Sequence, residues 1–98
     1  MKGIMIIFNQ AWSEEIVALF DELGIRGFTK LNDLQGRGSD KGEPRMGTHT
    51  WPALNNAIYT FVSAEQAPKL IEALNKLNKQ SEEQGLKAFC WDAEVVVP

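Results

Sequence analysis

Apolar positions along this chain follow two rhythms in turn, one of strands and one of helices. Lys2 to Asn9 is rich in Ile, Met and Phe and too short for a core helix, so it reads as a buried strand. Ile16, Leu19, Phe20 and Leu23 then fall at i, i+3, i+4 and i+7, a single helical stripe. Ser13 is placed to cap that helix, Glu14 and Glu15 suit its positive start, and Gly24 can end it. Gly27 to Gln35 is a second strand, with Phe28, Leu31 and Leu34 apolar but poorly alternating. Asn56 to Val62 (NAIYTFV) has the β-branched and aromatic residues of a third. Ser63 with Gln66 forms a capping-box pattern, and Ala67, Leu70, Ile71, Leu74 and Leu77 carry a second helical stripe. Pro68 implies that this helix begins nearer to it or has an irregular first turn. Glu82 to Gln84 read as its solvated end and Gly85 as its stop, after which Leu86 to Trp91 with Val95 to Val97 supply the last strand or strands.

The order β-α-β-(long loop)-β-α-β predicts an α+β fold. Two right-handed β-α-β crossovers give a ferredoxin-like βαββαβ sandwich, an antiparallel sheet with two helices on one face. Residues 1–98 make one such domain. The other sheet face then has no cover of its own, and an apolar patch of that size drives association. A homo-oligomer is expected.

Composition narrows the functional classes. The chain is 44% apolar and 23% charged with a formal net charge of −3, which argues against nucleic-acid binding. No apolar run approaches the length of a membrane span, and MKGIMIIFNQ lacks the small-residue cleavage site of a signal peptide. The single cysteine, Cys90, forms no internal disulfide and fits the cytoplasm. In the run FCW it reads as a small buried hydrophobe.

Candidate chemistry gathers in the loop Gly36 to Pro52, GRGSDKGEPRMGTHTWP. Its seventeen residues hold four glycines and two prolines, where loops of compact domains usually run to about 4–6 residues. Arg37, Lys41, Arg45 and His49 outweigh Asp40 and Glu43 there, the one local excess of positive charge. The GRGS segment can turn backbone N–H groups toward an anion, with Arg37 adding charge; as a plain turn it lets strand two leave the sheet. Arg45, His49 and Trp51 suit recognition of a partner, although Trp51 taken alone reads as an anchor for the loop's exit. His49, the sole histidine, has only Met46, Cys90 and Asp92 as companions for a metal, at no metal-motif spacing. Asn9, Gln10 and Trp12 read as a short connection whose amides satisfy loose backbone groups. No nucleophile–base pair can be named, so an enzyme is not expected.

The segment LGIRGFTKLNDLQGRGSDKG, Leu23 to Gly42, resembles the nitrogen-regulatory PII signalling proteins where helix one ends, strand two forms and their long T-loop begins. Leu23, Gly24, Gly27, Thr29, Gly36, Gly38 and Gly42 stand at matching positions. PALNNAIYTFVSAEQAPKLIEAL is similar to the family's third strand and second helix, and LKAFCWDAEVVV to its last strand and Val-rich tail. The resemblance implies a homotrimer with sheets facing inward, and a small anionic or nucleotide ligand between subunits held by Thr29, Gly36, Arg37, Gly38, Ser39 and Lys87. There are departures. The loop lacks the family's modified tyrosine, since Tyr59 falls in a strand. SEEQGLK keeps only Lys87 of the family's second phosphate-binding loop, and the Arg-x-Arg near the family's C-terminus is absent. With those groups missing, ATP binding of the family's kind is not expected, and Gly36 to Ser39 are left as part of a phosphate nest.

The expected function is therefore that of a PII-like regulatory protein acting by binding, without cofactor or membrane insertion. A ligand between subunits controls the 36–52 loop, which contacts a transporter or metabolic enzyme through Arg45, His49 and Trp51. Two alternatives stay open: a CutA-like divalent-metal trimer with His49 as ligand, and a small cofactor-free oxygenase using Asn9, His49 and Trp51.

Overall fold

In a computed structural model, which describes residues 1–80 and 85–98, the chain runs β1 (Lys2–Asn9), a 3-10 turn (Gln10–Trp12), α1 (Ser13–Glu22), β2 (Thr29–Leu34), β3 (Asn55–Val62), α2 (Gln66–Gln80) and β4 (Lys87–Asp92). The strands lie in the order β2-β3-β1-β4, every neighbouring pair antiparallel. This is the ferredoxin-like α+β arrangement, with β1 and β3 central and both helices against one face. The expected solvated end of helix two, Glu82 to Gln84, lies outside the described residues.

Alternation along β1 decides which face carries the core. Ile4, Ile6 and Phe8 are fully buried and meet Ile58 and Val62 of β3, Ile16 and Phe20 of α1, and Ala67, Leu70 and Leu74 of α2. The stripe read for α1 holds, with Leu19 and Leu23 packed at its margin. Gly24 closes the helix at φ 71°, donating its N–H to the Asp21 carbonyl, while Ile25 N–H reaches back to Phe20. This is the paired hydrogen-bond pattern of a left-handed helix stop. A Cβ at Gly24 would meet nothing within 4 Å, so Gly24→Ala tests the backbone alone. It should cost about 1–2 kcal/mol, read as a lowered denaturation midpoint.

Helix two starts as its capping box implies. Gln66 N–H donates to Ser63 Oγ at 3.1 Å, and Ala67 N–H to the Ser63 carbonyl. Pro68 sits third in α2, in the first turn, where a missing N–H costs least. Ser13, in contrast, is not a cap. The 3-10 turn carries the chain into α1 through Trp12, which has no capping side chain, and the Ser13 hydroxyl instead accepts from Asn56 Nδ2 at 3.1 Å.

The last strand also departs from expectation. β4 ends at Asp92, where Lys2 and Asp92 pair across the strand ends. The Lys2 ammonium lowers the Asp92 pKa, chiefly through their hydrogen bond, and the carboxylate raises that of Lys2. Val95, Val96 and Val97 join no strand and are exposed. Cys90 is exposed rather than buried, because β4 is an edge strand that the helices cover incompletely.

The second sheet face is apolar and open. Registered partners share a face, so Gly3, Met5, Tyr59, Phe61, Phe89 and Trp91 all point away from the helices. Trp91 lies across Gly3, where an added Cβ would come within 2.6 Å of its ring, and it meets Phe61 and Tyr59 edge-on at 6.1 and 6.5 Å. Phe61 remains 52% exposed, Phe89 49% and Trp91 39%.

Candidate functional site

The long loop leaves the sheet through a strained but well-tied strand end. Asp33 takes φ 60°, a hand uncommon for a residue with a Cβ, at the irregularity between Leu31 and Leu34. Its N–H donates to Asn56 Oδ1 at 3.1 Å, and its carboxylate accepts from Gln10 Nε2. Asn9 Oδ1 takes the Ala11 N–H at 3.0 Å. Asn9 thus satisfies a local backbone group, as the sequence suggests, whereas Gln10 reaches the distant side chains of Asp33 and Asn56 where β2 releases the chain.

Within the loop, Gly36 and Arg45 exchange both backbone hydrogen bonds at 2.8 and 2.7 Å. This bridge closes a tip of residues 37–44, inside which Gly42 N–H donates to Ser39 Oγ at 2.9 Å. The returning half makes a second tight turn: Met46 and Thr48 donate to the Trp51 carbonyl, and Thr48 Oγ1 accepts from Trp51 N–H. Gly47 supports that turn at φ 64° and sits against Leu54.

Between this loop and the start of β4 lies a cleft of about 950 Å³. Lys87, the first residue of β4, reaches across it and donates from Nζ to the Gly38 carbonyl at 2.6 Å. Arg45 enters from the loop side, half-buried, with Nη1 donating to Asn55 Oδ1 at 2.8 Å. Burial lowers its pKa from the ordinary arginine value, although a guanidinium stays charged at neutral pH. Gly85, at φ 60°, leaves room for it, since an added Cβ would lie 2.7 Å from an Arg45 nitrogen. Ser39, Thr50, Trp51 and the rings of Pro44 and Pro52 complete much of the wall.

Of the residues marked for a ligand, Gly38, Ser39 and Lys87 meet in this cleft. Gly36 supports it from the base of the loop, Arg37 is exposed beyond its lining, and Thr29 lies opposite Tyr59 on the open sheet face. Of those marked for a partner, Arg45 and Trp51 line the same cleft, while His49 is exposed at the turn. Among the described residues, no three His, Cys, Asp or Glu side chains gather to hold a metal. The contributions of Asn55 and Gly85 are not evident from sequence. Their signals are slight, a polar pair opening β3 and a glycine two residues before Lys87.

Two cations, a glycine-rich backbone and an apolar wall suit an anion joined to a flat apolar group. Comparison with known proteins agrees with the fold. The family model described as nitrogen regulatory protein P-II matches residues 1–97. The chain belongs to that family. Among solved structures, this P-II protein is similar to CPII from Thiomonas intermedia K12. In the form bound to ADP and bicarbonate, identity is 26% over 96% of this chain and 86% of that one, with a TM-score of 0.78. In the form bound to ADP, AMP and bicarbonate, identity is 25% over 99% and 93%, with a TM-score of 0.77. A Thermus thermophilus protein described as PII-like shares the fold at 20% identity over 92% and 83%, with a TM-score of 0.65. No curated protein matches the chain. Among the described residues, no helix is long and apolar enough to cross a membrane.

Proposed function

We propose that this P-II regulatory protein is a cytoplasmic homotrimer that binds an adenosine mono- or diphosphate in the cleft between the 36–52 loop and β4. It acts by binding, with no chemistry of its own, as one domain of 98 residues. The observation that carries this reading is the contact of Lys87 Nζ with Gly38. It joins the glycine-rich loop entry and the β4 lysine, two separate parts of the family's phosphate-binding pattern, across one cleft. Arg45 adds a second cation, and Trp51 and the prolines offer an apolar surface to a base or sugar. The CPII structures with ADP and with AMP support the choice of ligand. Fewer cations stand here than a triphosphate requires, so the shorter nucleotides fit better.

The open sheet face supports trimer formation, because its aromatic surface is buried only against other copies. Thr29, on that face, reaches a cleft only from a neighbouring subunit. The loop then presents Arg37, Lys41 and His49 to a partner protein of matching charge, a transporter or a metabolic enzyme. Titration calorimetry with ADP, AMP and ATP, with and without bicarbonate, tests the reading. ADP and AMP should bind, ATP no more tightly than ADP. Absence of heat with all three nucleotides contradicts it.

A further inference from the structure

We propose that Glu43 sets which adenosine phosphate the cleft accepts, its carboxylate opposing every phosphate added beyond the first. The proposal rests on the nucleotide reading above and adds the residue that grades the ligands by charge.

Three observations carry it. First, among the described residues the charged side chains lining the cleft are Glu43, Arg45 and Lys87. Two cations and one carboxylate leave a single net positive charge. A phosphate monoester carries about −1.5 to −2 at neutral pH, so the two cations alone nearly balance AMP. Second, Glu43 is in no ion pair among the described residues, where Lys2 pairs with Asp92 and Lys76 with Glu72. Arg37 and Lys41, the other cations of the tip, lie outside the cleft lining. Third, Glu43 is held in place. Pro44 keeps the residue before it in extended backbone, and the Gly36–Arg45 bridge closes the tip directly after Pro44. Glu43 is exposed where Arg45 is half-buried, so the carboxylate stands at the rim and the guanidinium deeper.

The backbone does little to offset that carboxylate. Positive φ among the described residues is confined to Gly24, Asp33, Gly47 and Gly85. Gly36 to Ser39 therefore hold no left-handed residue and do not form the expected nest of alternating right- and left-handed residues. Choice among phosphates is left to the side chains. A carboxylate in an anion cleft weakens every anion, and its repulsion grows in proportion to the ligand's charge. AMP sets one phosphate against two cations. ADP and ATP add negative charge for which the described lining has no further cation, and Glu43 opposes each addition. It weakens ATP most, ADP less and AMP least.

The test is titration calorimetry of wild type, Glu43→Gln and Glu43→Lys with AMP, ADP and ATP, with a chelator present to exclude divalent cations. Glutamine keeps the shape of the side chain and removes its charge. Because Glu43 is exposed, both variants should keep the oligomer mass and unfolding temperature of wild type. In Glu43→Gln the ratio of ATP to AMP affinity should rise about three- to tenfold, and in Glu43→Lys it should rise further. Salt at about 1 M, where the screening length falls to about 3 Å, should erase most of that gain. An unchanged ratio, an equal gain for all three nucleotides, or weaker binding in Glu43→Gln overturns the assignment and leaves the nucleotide reading standing. If wild type binds none of the three, both fall.

Discussion

Replacing Phe61 and Trp91 together with aspartate should turn the proposed trimer into folded monomers and abolish measurable ADP binding. Both side chains lie on the sheet face that the helices do not cover, 52% and 39% exposed in a single chain. Burying a large apolar side chain contributes roughly 1.5–3 kcal/mol, and an edge-on aromatic pair adds about 0.5–1.5 kcal/mol. A carboxylate in the same place has to be desolvated without a partner. Six such substitutions across three subunits exceed what an interface between chains this small can absorb. The helix-side core, Ile4, Ile6, Phe8, Phe20 and Leu70, is untouched, so circular dichroism should still report a folded chain. Light scattering reads the mass and calorimetry the loss of ADP. A trimer that survives the double substitution places the interface elsewhere.

Lys87→Ala should weaken ADP binding by about 10- to 150-fold. A hydrogen bond to a charged group is worth about 1.5–3 kcal/mol, and Lys87 would supply one to the phosphate. Lys87 is exposed at the start of β4, so stability should change little and the loss can be assigned to the ligand. Arg45 is the useful contrast. Its guanidinium is partly buried and held by Asn55, so Arg45→Ala should lower both stability and affinity. Undiminished ADP affinity in Lys87→Ala contradicts the assignment of the cleft.

Much of the fold could be read from the sequence because local and global signals agree. Ile16, Leu19, Phe20 and Leu23 mark one helical face, and Gly24 ends it with both expected hydrogen bonds. Ser63 and Gln66 cap the second helix as their spacing implies. The failures come where a distant residue takes over a local role. Ser13 looks like a cap, but Asn56, far along the chain, claims its hydroxyl. The poor alternation of strand two has a cause in space, since the strand breaks register between Leu31 and Leu34 around Asp33. Cys90 and the Val95–Val97 run are apolar by composition, yet an edge strand and its tail leave them exposed within one chain.

The candidate site shows the same division. Composition singles out the glycine-rich loop, but spacing alone does not reveal that Lys87 closes onto Gly38, or that Arg45 turns inward between Asn55 and Gly85. Trp51 and Arg45, read from sequence as partner contacts, line the cleft beside β4 together with Lys87. His49 alone of that group stays exposed on the loop.

Native mass spectrometry of the wild-type chain with ADP weighs both halves of the reading at once. One dominant species is expected at three times the 11.0 kDa chain mass, carrying up to three ADP molecules. A species of single-chain mass that takes up no ADP contradicts it.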